Sequence, residues 1–163
     1  MSYVRRNLMP GEQVVAVAHV HCLIFLRAIS YLAFAIMLFI ASSWFEEPVF
    51  SWSLIVVGLA FLFFAITRGI AAAVRFWTSE YAVTTKRLIV KVGLIRRDSL
   101  ELLLAKVEAV GVNQSILGRL FGYGTLVITG TGGSANAYDS IAAPLKFRRT
   151  VQQQVGNVQD GRP

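Results

Sequence analysis

Three places in this sequence carry residue types that could do chemistry, and the first is a short group of metal-ligating types. His19, His21 and Cys22 stand close together, and in an extended segment the two histidines would share one face. A closed zinc site takes four ligands, and no fourth ligand stands nearby. We therefore predict no metal site here. Instead of binding metal, the two histidines are expected to lie at a boundary between polar and apolar surroundings, where an imidazole contacts both.

The second place is the glycine-rich stretch Gly130-Thr131-Gly132-Gly133, whose backbone N–H groups could face a phosphate. A phosphate loop runs from a strand into the N-terminus of a helix, and a P-loop carries a lysine after its glycines. Here the following residues, SANAYDS, have the pattern of another strand and contain no lysine. We therefore predict a hairpin loop.

The third place is the set of acidic side chains after Thr78, which are the candidates for paired acid and base catalysis. These residues are Glu80, Asp98, Glu101, Glu108 and Asp139. They are scattered among neighbours typical of surface positions, and both histidines precede the apolar region, so neither a carboxylate pair nor a Ser/His/Asp order stands out. The sequence predicts a protein without catalytic residues and without a bound cofactor.

The elements that surround these residues are dominated by one apolar region. The chain has 163 residues, 55% of them hydrophobic, and a mean hydropathy of +0.59, whereas globular domains have roughly 45–50% apolar residues. The excess lies between Leu23 and Trp77. The remaining length suits one soluble domain of ordinary size, and the single cysteine, Cys22, excludes an intramolecular disulfide.

Two uncharged stretches in this region, Ala28–Phe45 and Val49–Thr67, have the length of membrane-spanning helices. The first would extend about 27 Å as a helix, against a hydrocarbon core of about 30 Å. Only Glu46-Glu47-Pro48 separates the two stretches, so the helices must be antiparallel neighbours. We therefore predict a transmembrane hairpin.

The charge distribution predicts which side of the membrane the chain termini face. Basic residues flank the first span at Arg5, Arg6 and Arg27 and the second at Arg68 and Arg75, whereas the connecting turn carries no Lys or Arg. Under the positive-inside rule, both termini are therefore cytoplasmic.

Small residues recur every seven positions in both spans, which is typical of a close-packed helix pair. The predicted helix-packing seam consists of Ala28, Ala35, Ser42, Gly58, Ala65 and Ala72. Chance spacing and a contact between subunits are the alternatives, because alanine and glycine are common in membrane helices.

After Thr78 the pattern changes to short apolar runs separated by turn residues, which is typical of a compact antiparallel sheet. A helical turn, ILGRLF, capped by Ser115 and closed by Gly122, separates the later runs. The predicted extended segments are Glu80–Thr84, Arg87–Val92, Leu94–Arg97, Ser99–Leu103, Val107–Gln114, Thr125–Thr129 and Ala135–Ile141.

A C-terminal helix is predicted to begin at Pro144, with Phe147, Val151, Val155 and Val158 on one apolar stripe. Such a stripe can cover a small sheet. The expected fold class is therefore α+β, a helical hairpin followed by an antiparallel β-sandwich or barrel with a C-terminal helix. The predicted organisation is an N-terminal cytoplasmic segment 1–22, a hairpin 23–77, a cytoplasmic domain 78–158 and a tail 159–163.

The order of these residues resembles a known family over nearly the whole chain. The stretches that carry the resemblance are NLMPGEQVVAVAHVH, YAVTTKRLIVKVGLIRR, LELLLAKVEAVGVNQSILGRLFGYGTLVITGTGG and PLKFRR. They resemble the membrane-anchored bacterial pleckstrin-homology-like (PH-like) proteins, which join a two-span hairpin to a PH-like β-sandwich or barrel. The resemblance implies this fold and topology in a bacterial inner membrane, and it implies no shared enzymatic activity.

The basic residues favour an anionic surface. All 16 Lys and Arg residues lie outside the predicted turn, which holds two of the nine acids. The candidate anionic-lipid contacts, which follow the second span, are Arg75, Lys86, Arg87, Lys91, Arg96 and Arg97. The alternative explanation is that these basic residues only set the positive-inside topology and keep the protein soluble. Nucleic acid is not an expected partner, because exposed aromatics are not interleaved with the basic residues.

These observations predict a non-catalytic, membrane-tethered PH-like module that binds a protein partner, anionic lipid or other copies of itself. Sheet edges can pair with a neighbouring copy, so a homo-oligomer is one expected assembly. The alternative function is an accessory subunit of a membrane transporter or of a lipid-handling complex, with a membrane protein as its partner. An enzyme would need an inward-facing pair of titratable groups, which the sequence does not reveal.

Overall fold

The computed structural model describes Val4 and residues 7–93, 98–131, 133 and 135–160. Its contacts divide the chain into two compact units. The helical unit comprises Cys22–Val74, and the sheet unit comprises Met1–His21 together with Arg75–Pro163. The sheet unit is therefore built from segments on both sides of the helical unit in sequence.

The helical unit holds two long helices. A 3₁₀ turn at Cys22–Phe25 leads into α1 at Leu26–Ser42, and α2 comprises Pro48–Thr78, whose last residues belong to the sheet unit. Pro48 begins α2 because proline fits the first helical position, where no intrahelical N–H bond is lost. Helix α1 ends at Ser42, before the predicted end of the first span at Phe45.

The buried residues of α1 and α2 are small. They are Ala28, Ala35, Ser42, Gly58, Ala65 and Ala72, the positions at which the sequence analysis placed the seam. A Cβ atom added to Gly58 would lie 2.8 Å from Cε1 of Phe39, and the Ser51 hydroxyl donates to the Ser42 carbonyl at 3.1 Å. Gly58 therefore leaves room for the Phe39 ring of the neighbouring helix, and the buried positions of both helices carry small residues.

The first sheet of the sheet unit has four antiparallel strands in the order β1-β2-β3-β4. These strands are β1 at Val14–Ala18, β2 at Glu80–Thr84, β3 at Arg87–Val92 and β4 at Asp98–Leu103. Strands β2 and β3 have the predicted bounds, and the predicted segment Leu94–Arg97 lies outside the described residues. Sequence reasoning missed β1, because its partner strand lies on the far side of the helical unit in sequence.

The second sheet has three antiparallel strands in the order β5-β6-β7. These strands are β5 at Val107–Asn113, β6 at Tyr123–Gly130 and β7 at Ala135–Ala142, with helix α3 at Ile116–Phe121 between β5 and β6. Because β6 pairs directly with β7, the predicted hairpin at the glycine-rich stretch is confirmed. The predicted α+β class, with antiparallel sheets and a C-terminal helix, is confirmed as well.

One segment near the N-terminus pairs with both sheets. Strand β1 pairs with β2, and just beyond it Val20 forms an antiparallel bridge with Ile141 at the end of β7. The N–H of His21 donates to the Ser140 carbonyl at 2.6 Å, and the His19 carbonyl accepts from the Ala142 N–H. The segment Val14–His21 therefore connects the two sheets by backbone hydrogen bonds.

Helix α4 at Pro144–Gln159 packs against β1, β5 and β6. Of the predicted stripe, Phe147 and Val151 are buried, Val155 is half-buried and Val158 is exposed. The apolar face of α4 therefore covers the sheets in its first half only.

Arg87 lies buried in a polar cluster that ties the N-terminal segment to the first sheet. Its Nε donates to Glu12 Oε1 at 2.9 Å and its Nη2 to Glu12 Oε2 at 3.0 Å, which makes a bidentate pair. Its other contacts are Glu101 on β4 and the carbonyl of Asn7. The Thr84 hydroxyl donates to Glu12 Oε1 at 2.6 Å. A buried charge is tolerated here because two carboxylates face it.

Burial and hydrogen bonding move the pKa of Glu12 in opposite directions. Loss of hydration raises it, but the hydrogen bonds from Arg87, the Met9 N–H and Thr84, with the Arg87 charge, lower the pKa of Glu12 from 4.5 to about 2. The hydrogen bond with Glu12 raises the pKa of Arg87 against the effect of burial. Both groups are therefore ionised near neutral pH.

We expect the Glu12–Arg87 pair to make the sheet unit acid-sensitive. A carboxylate with a lowered pKa in the folded state stabilises the fold above its unfolded pKa and stops doing so as it is protonated. Stability contributed by Glu12 should therefore fall as the pH drops from 4.5 towards about 2. In Glu12→Gln this contribution is absent at every pH, and the lost pair costs about 3–5 kcal/mol at neutral pH.

The measurement is the urea midpoint of the purified protein as a function of pH. Glu108→Gln makes the same chemical change at an exposed site and serves as the control. Equal midpoints for the two variants at neutral pH would contradict a structural role for Glu12.

A second prediction concerns the close approach of α1 and α2. Gly58→Val places a branched side chain against the Phe39 ring and should cost about 1–3 kcal/mol by overpacking. Ala60→Val, at an exposed position of the same helix, should leave stability near that of the wild type. Thermal loss of helical circular dichroism in matched micelles compares them, and indistinguishable melting would argue against the contact.

Candidate functional site

The structure separates the predicted anionic-lipid contacts into distinct environments. Arg87 is buried and held by Glu12 and Glu101, so its guanidinium has a structural role inside the sheet unit. Lys86 is exposed, and its Nζ donates to the Pro10 carbonyl at 3.2 Å. The remaining members are Arg75, which is exposed, Lys91, which is half-buried, and Arg96 and Arg97, which lie outside the described residues.

Lys86 and Lys91 lie at opposite ends of β3. Lys91 pairs with Glu80 at the start of β2, whereas Lys86 lies in the turn that joins the end of β2 to β3. At about 3.3 Å per strand residue, this separation is roughly 16 Å. The described lysines Lys86 and Lys91 therefore lie far apart on the sheet unit.

The chain leaves and re-enters the sheet unit at neighbouring places, which we name the junction edge. It leaves through Ala18–His21 and returns through Arg75–Tyr81. These segments are neighbours because Ala18 pairs with Tyr81. Lys91 belongs to this edge through its pairing with Glu80.

Aromatic rings line the junction edge. The ring of His21 lies 5.6 Å from that of Tyr123 between centroids, and the ring of Tyr81 meets that of Tyr138 edge to face at 5.7 Å. Burial and the neighbouring Tyr138 raise the pKa of Tyr81 to about 12. This phenol therefore stays protonated near neutral pH.

His19 and His21 hold their segment of the chain against β7, and Cys22 is exposed. The backbones of both histidines hydrogen-bond to β7, and the imidazole of His21 packs on Tyr123. Within the described ranges, no three His, Cys, Asp or Glu side chains are grouped closely enough to hold a metal ion.

The acidic side chains occupy separate environments. Glu101 pairs with Arg87, Asp139 accepts from the Thr125 hydroxyl at 2.9 Å, and Glu108 is exposed on β5. Glu80 accepts from the Val4 N–H at 3.4 Å. Among the acids whose burial the structure describes, Glu12 is the buried one, and it could not be found from the sequence because its partner, Arg87, follows the helical unit.

Helix α3 is held in place by a small set of local contacts. Ser115 caps it by accepting from the Gly118 N–H at 3.0 Å, and Gly122 ends it with a φ of 72°, so both predicted end residues are confirmed. The Gln114 amide donates to the Gly118 and Tyr123 carbonyls. A Cβ atom on Gly118 would lie 2.7 Å from the Tyr123 carbonyl oxygen, so only glycine allows this close packing.

The other face of α3 is apolar and exposed to solvent. Its large apolar residues, with their exposed fractions, are Ile116 at 87%, Leu117 at 53%, Leu120 at 75% and Phe121 at 52%. Arg119 is exposed among them. The sequence predicted the helix but not the exposure of its apolar side chains, although the composition of the helix indicates that exposure. A helix of under two turns with four large apolar residues cannot bury all of them.

The chain matches a known protein family over most of its length. The sequence matches the family described as Bacterial PH domain over residues 13–155. The match begins just before β1, includes the helical unit and ends within α4. No curated protein matches the chain. Because the match covers well over half of the sequence, the chain belongs to the bacterial PH domain family.

Proposed function

We propose that this protein is a two-span integral protein of the bacterial inner membrane that holds a non-catalytic PH-like interaction module at the cytoplasmic face. The family supports the module, since a PH-like unit indicates a non-catalytic interaction domain. The observation that carries the proposal is the exposure of α1 and α2. Helix α1 together with its preceding 3₁₀ turn, Cys22–Ser42, and helix α2 alone are long and apolar enough to cross a membrane, and only 11% of the most apolar stretch of each is buried.

The exposure argues for lipid because of its energetic cost in water. Side chains such as Phe63, Val56 and Ile70 each expose more than 60% of their surface. Apolar surface left in water costs about 25 cal/mol per Å², and soluble monomers rarely expose large apolar patches. A core helix of a soluble protein would have most of this surface buried, whereas a bilayer covers it without further protein.

The charge pattern supports the proposed orientation. Glu46 and Glu47 lie in the connection between α1 and α2, whereas Arg27, Arg68 and Arg75 lie towards the other ends of the helices. The positive-inside rule then assigns the connection to the periplasmic side and the sheet unit to the cytoplasm.

At the cytoplasmic face we assign Arg75 and Lys91 to contacts with anionic headgroups, because both lie at the junction edge. Arg96 and Arg97, which follow Lys91 closely in sequence, remain in the proposed set. Arg87 is left out because it is buried, and Lys86 because it lies at the other end of β3.

The topology predicts the activity of reporter fusions. Alkaline phosphatase inserted between Glu46 and Glu47 should be active, and the same enzyme fused after Pro163 should be inactive. A fluorescent protein fused after Pro163 should fluoresce, because that end is cytoplasmic. Active phosphatase after Pro163, or full-length protein recovered in the supernatant after lysis without detergent, would refute the proposal.

The lipid contacts predict a difference between Lys91 on β3 and Lys86 in the turn before β3. Lys91→Gln should reduce the preference for phosphatidylglycerol over phosphatidylcholine by about 1 kcal/mol, or roughly fivefold. Lys86→Gln makes the same change at the far end of β3 and should leave the preference unchanged. Native mass spectrometry of protein released from mixed-lipid nanodiscs counts the bound lipids, and equal losses in both variants would contradict the assignment.

A further inference from the structure

We propose that α3 is a second, peripheral membrane attachment, whose apolar face enters the headgroup region of an anionic bilayer. The inference rests on the proposed function, because the bilayer is the one that α1 and α2 would cross. It adds a contact between the sheet unit and lipid at residues that no family property assigns.

Contacts on the inner side of α3 hold its exposed face in a defined position. Helices shorter than about 12–15 residues are marginal in water, so a six-residue helix depends on contacts outside itself. The Ser115 cap, the Gln114 amide and the close packing of Gly118 on Tyr123 supply those contacts on the inner side. Ile116 and Leu120 point away from these contacts, and each exposes at least three quarters of its surface.

The charges around α3 favour an anionic surface over a purely apolar protein groove. Arg119 lies on α3 itself, and Lys146 and Arg149 are exposed at the start of α4. The start of α4 adjoins α3, because the Ala143 N–H donates to the Gly122 carbonyl at 2.8 Å. Leu145 adds a further exposed apolar side chain there. Apolar residues with flanking cations are the pattern of segments that lie in a membrane interface.

The position of α3 in the sheet unit identifies a bilayer as the occupant. Gly118 packs on the carbonyl of Tyr123, and the ring of Tyr123 packs on His21. His21 is the last residue before the helical unit. These contacts hold α3 beside the segment through which the chain leaves the sheet unit, and the chain continues from there into the proposed spans. A tether this short keeps the membrane surface at high effective concentration, so even weak insertion is favoured.

The test places one fluorescent label at a time on the full-length protein in a Cys22→Ser background. Leu120→Cys reports on α3, and Glu108→Cys reports on the opposite end of β5, away from the α3 connection. Val57→Cys reports on the exposed side of α2. The labelled proteins are reconstituted in nanodiscs of phosphatidylcholine and phosphatidylglycerol. Quenching by a nitroxide on the lipid chains is compared with quenching by water-soluble acrylamide.

The inference predicts lipid quenching at Leu120 that is several-fold stronger than at Glu108, because interfacial segments sit about 5–10 Å deep. The Leu120 signal should fall when phosphatidylglycerol is omitted, and Arg119→Gln should reproduce that fall. Lipid quenching at Val57 without quenching at Leu120 would overturn the inference and leave the proposed function standing. Absence of lipid quenching at Val57 would overturn the proposed function itself.

A second copy of the chain is the competing occupant of this face. In that case the Leu120 label would be shielded from acrylamide only when several copies share a nanodisc, and dilution with empty discs would expose it. Shielding that depends on copy number, without lipid quenching, would overturn the inference. Shielding that persists at one copy per disc, together with lipid quenching, supports it.

Discussion

The structure depends on the pairing of Val14–His21 with both sheets. Its strand β1 pairs with β2, and Val20 bridges to the end of β7. The segment therefore connects two sheets that are otherwise formed from separate parts of the chain. The buried Glu12–Arg87 pair fixes the start of the same segment to β3. Because an unpaired charge at Arg87 would be costly to bury, the sheet unit gains its full stability only when the N-terminal segment is in place.

This pairing also brings the two connections to the helical unit together. The segment that closes the sheets ends at His21, and the chain returns at Arg75 beside it, so both connections leave the sheet unit at the junction edge. In the proposed topology, the sheet unit would be attached to the membrane at two neighbouring points of one edge. Arg75 and Lys91 lie at that edge, whereas Lys86 lies at the other end of β3.

The two exposed apolar surfaces differ in how their side chains are arranged. Helices α1 and α2 expose many large side chains, and their buried residues are small, for example Ala35 and Gly58. Helix α3 exposes a few side chains on one face and hides glycine on the other. The first pattern suits immersion in hydrocarbon and the second suits attachment to a surface, and both keep glycine at the point of closest packing.

The features that could be predicted from the sequence depend on neighbouring residues. They are the two apolar stretches, the bounds of β2 and β3, the β6–β7 hairpin and the ends of α3. Periodicity, capping and turn preferences act over a few residues and can be recognised locally. Other features became clear only from contacts in the folded chain: Val14–Ala18 is a strand, Arg87 is buried, and Leu120 points outward. Each of these depends on a partner that the helical unit separates in sequence or on packing against another element, and such contacts leave no local pattern.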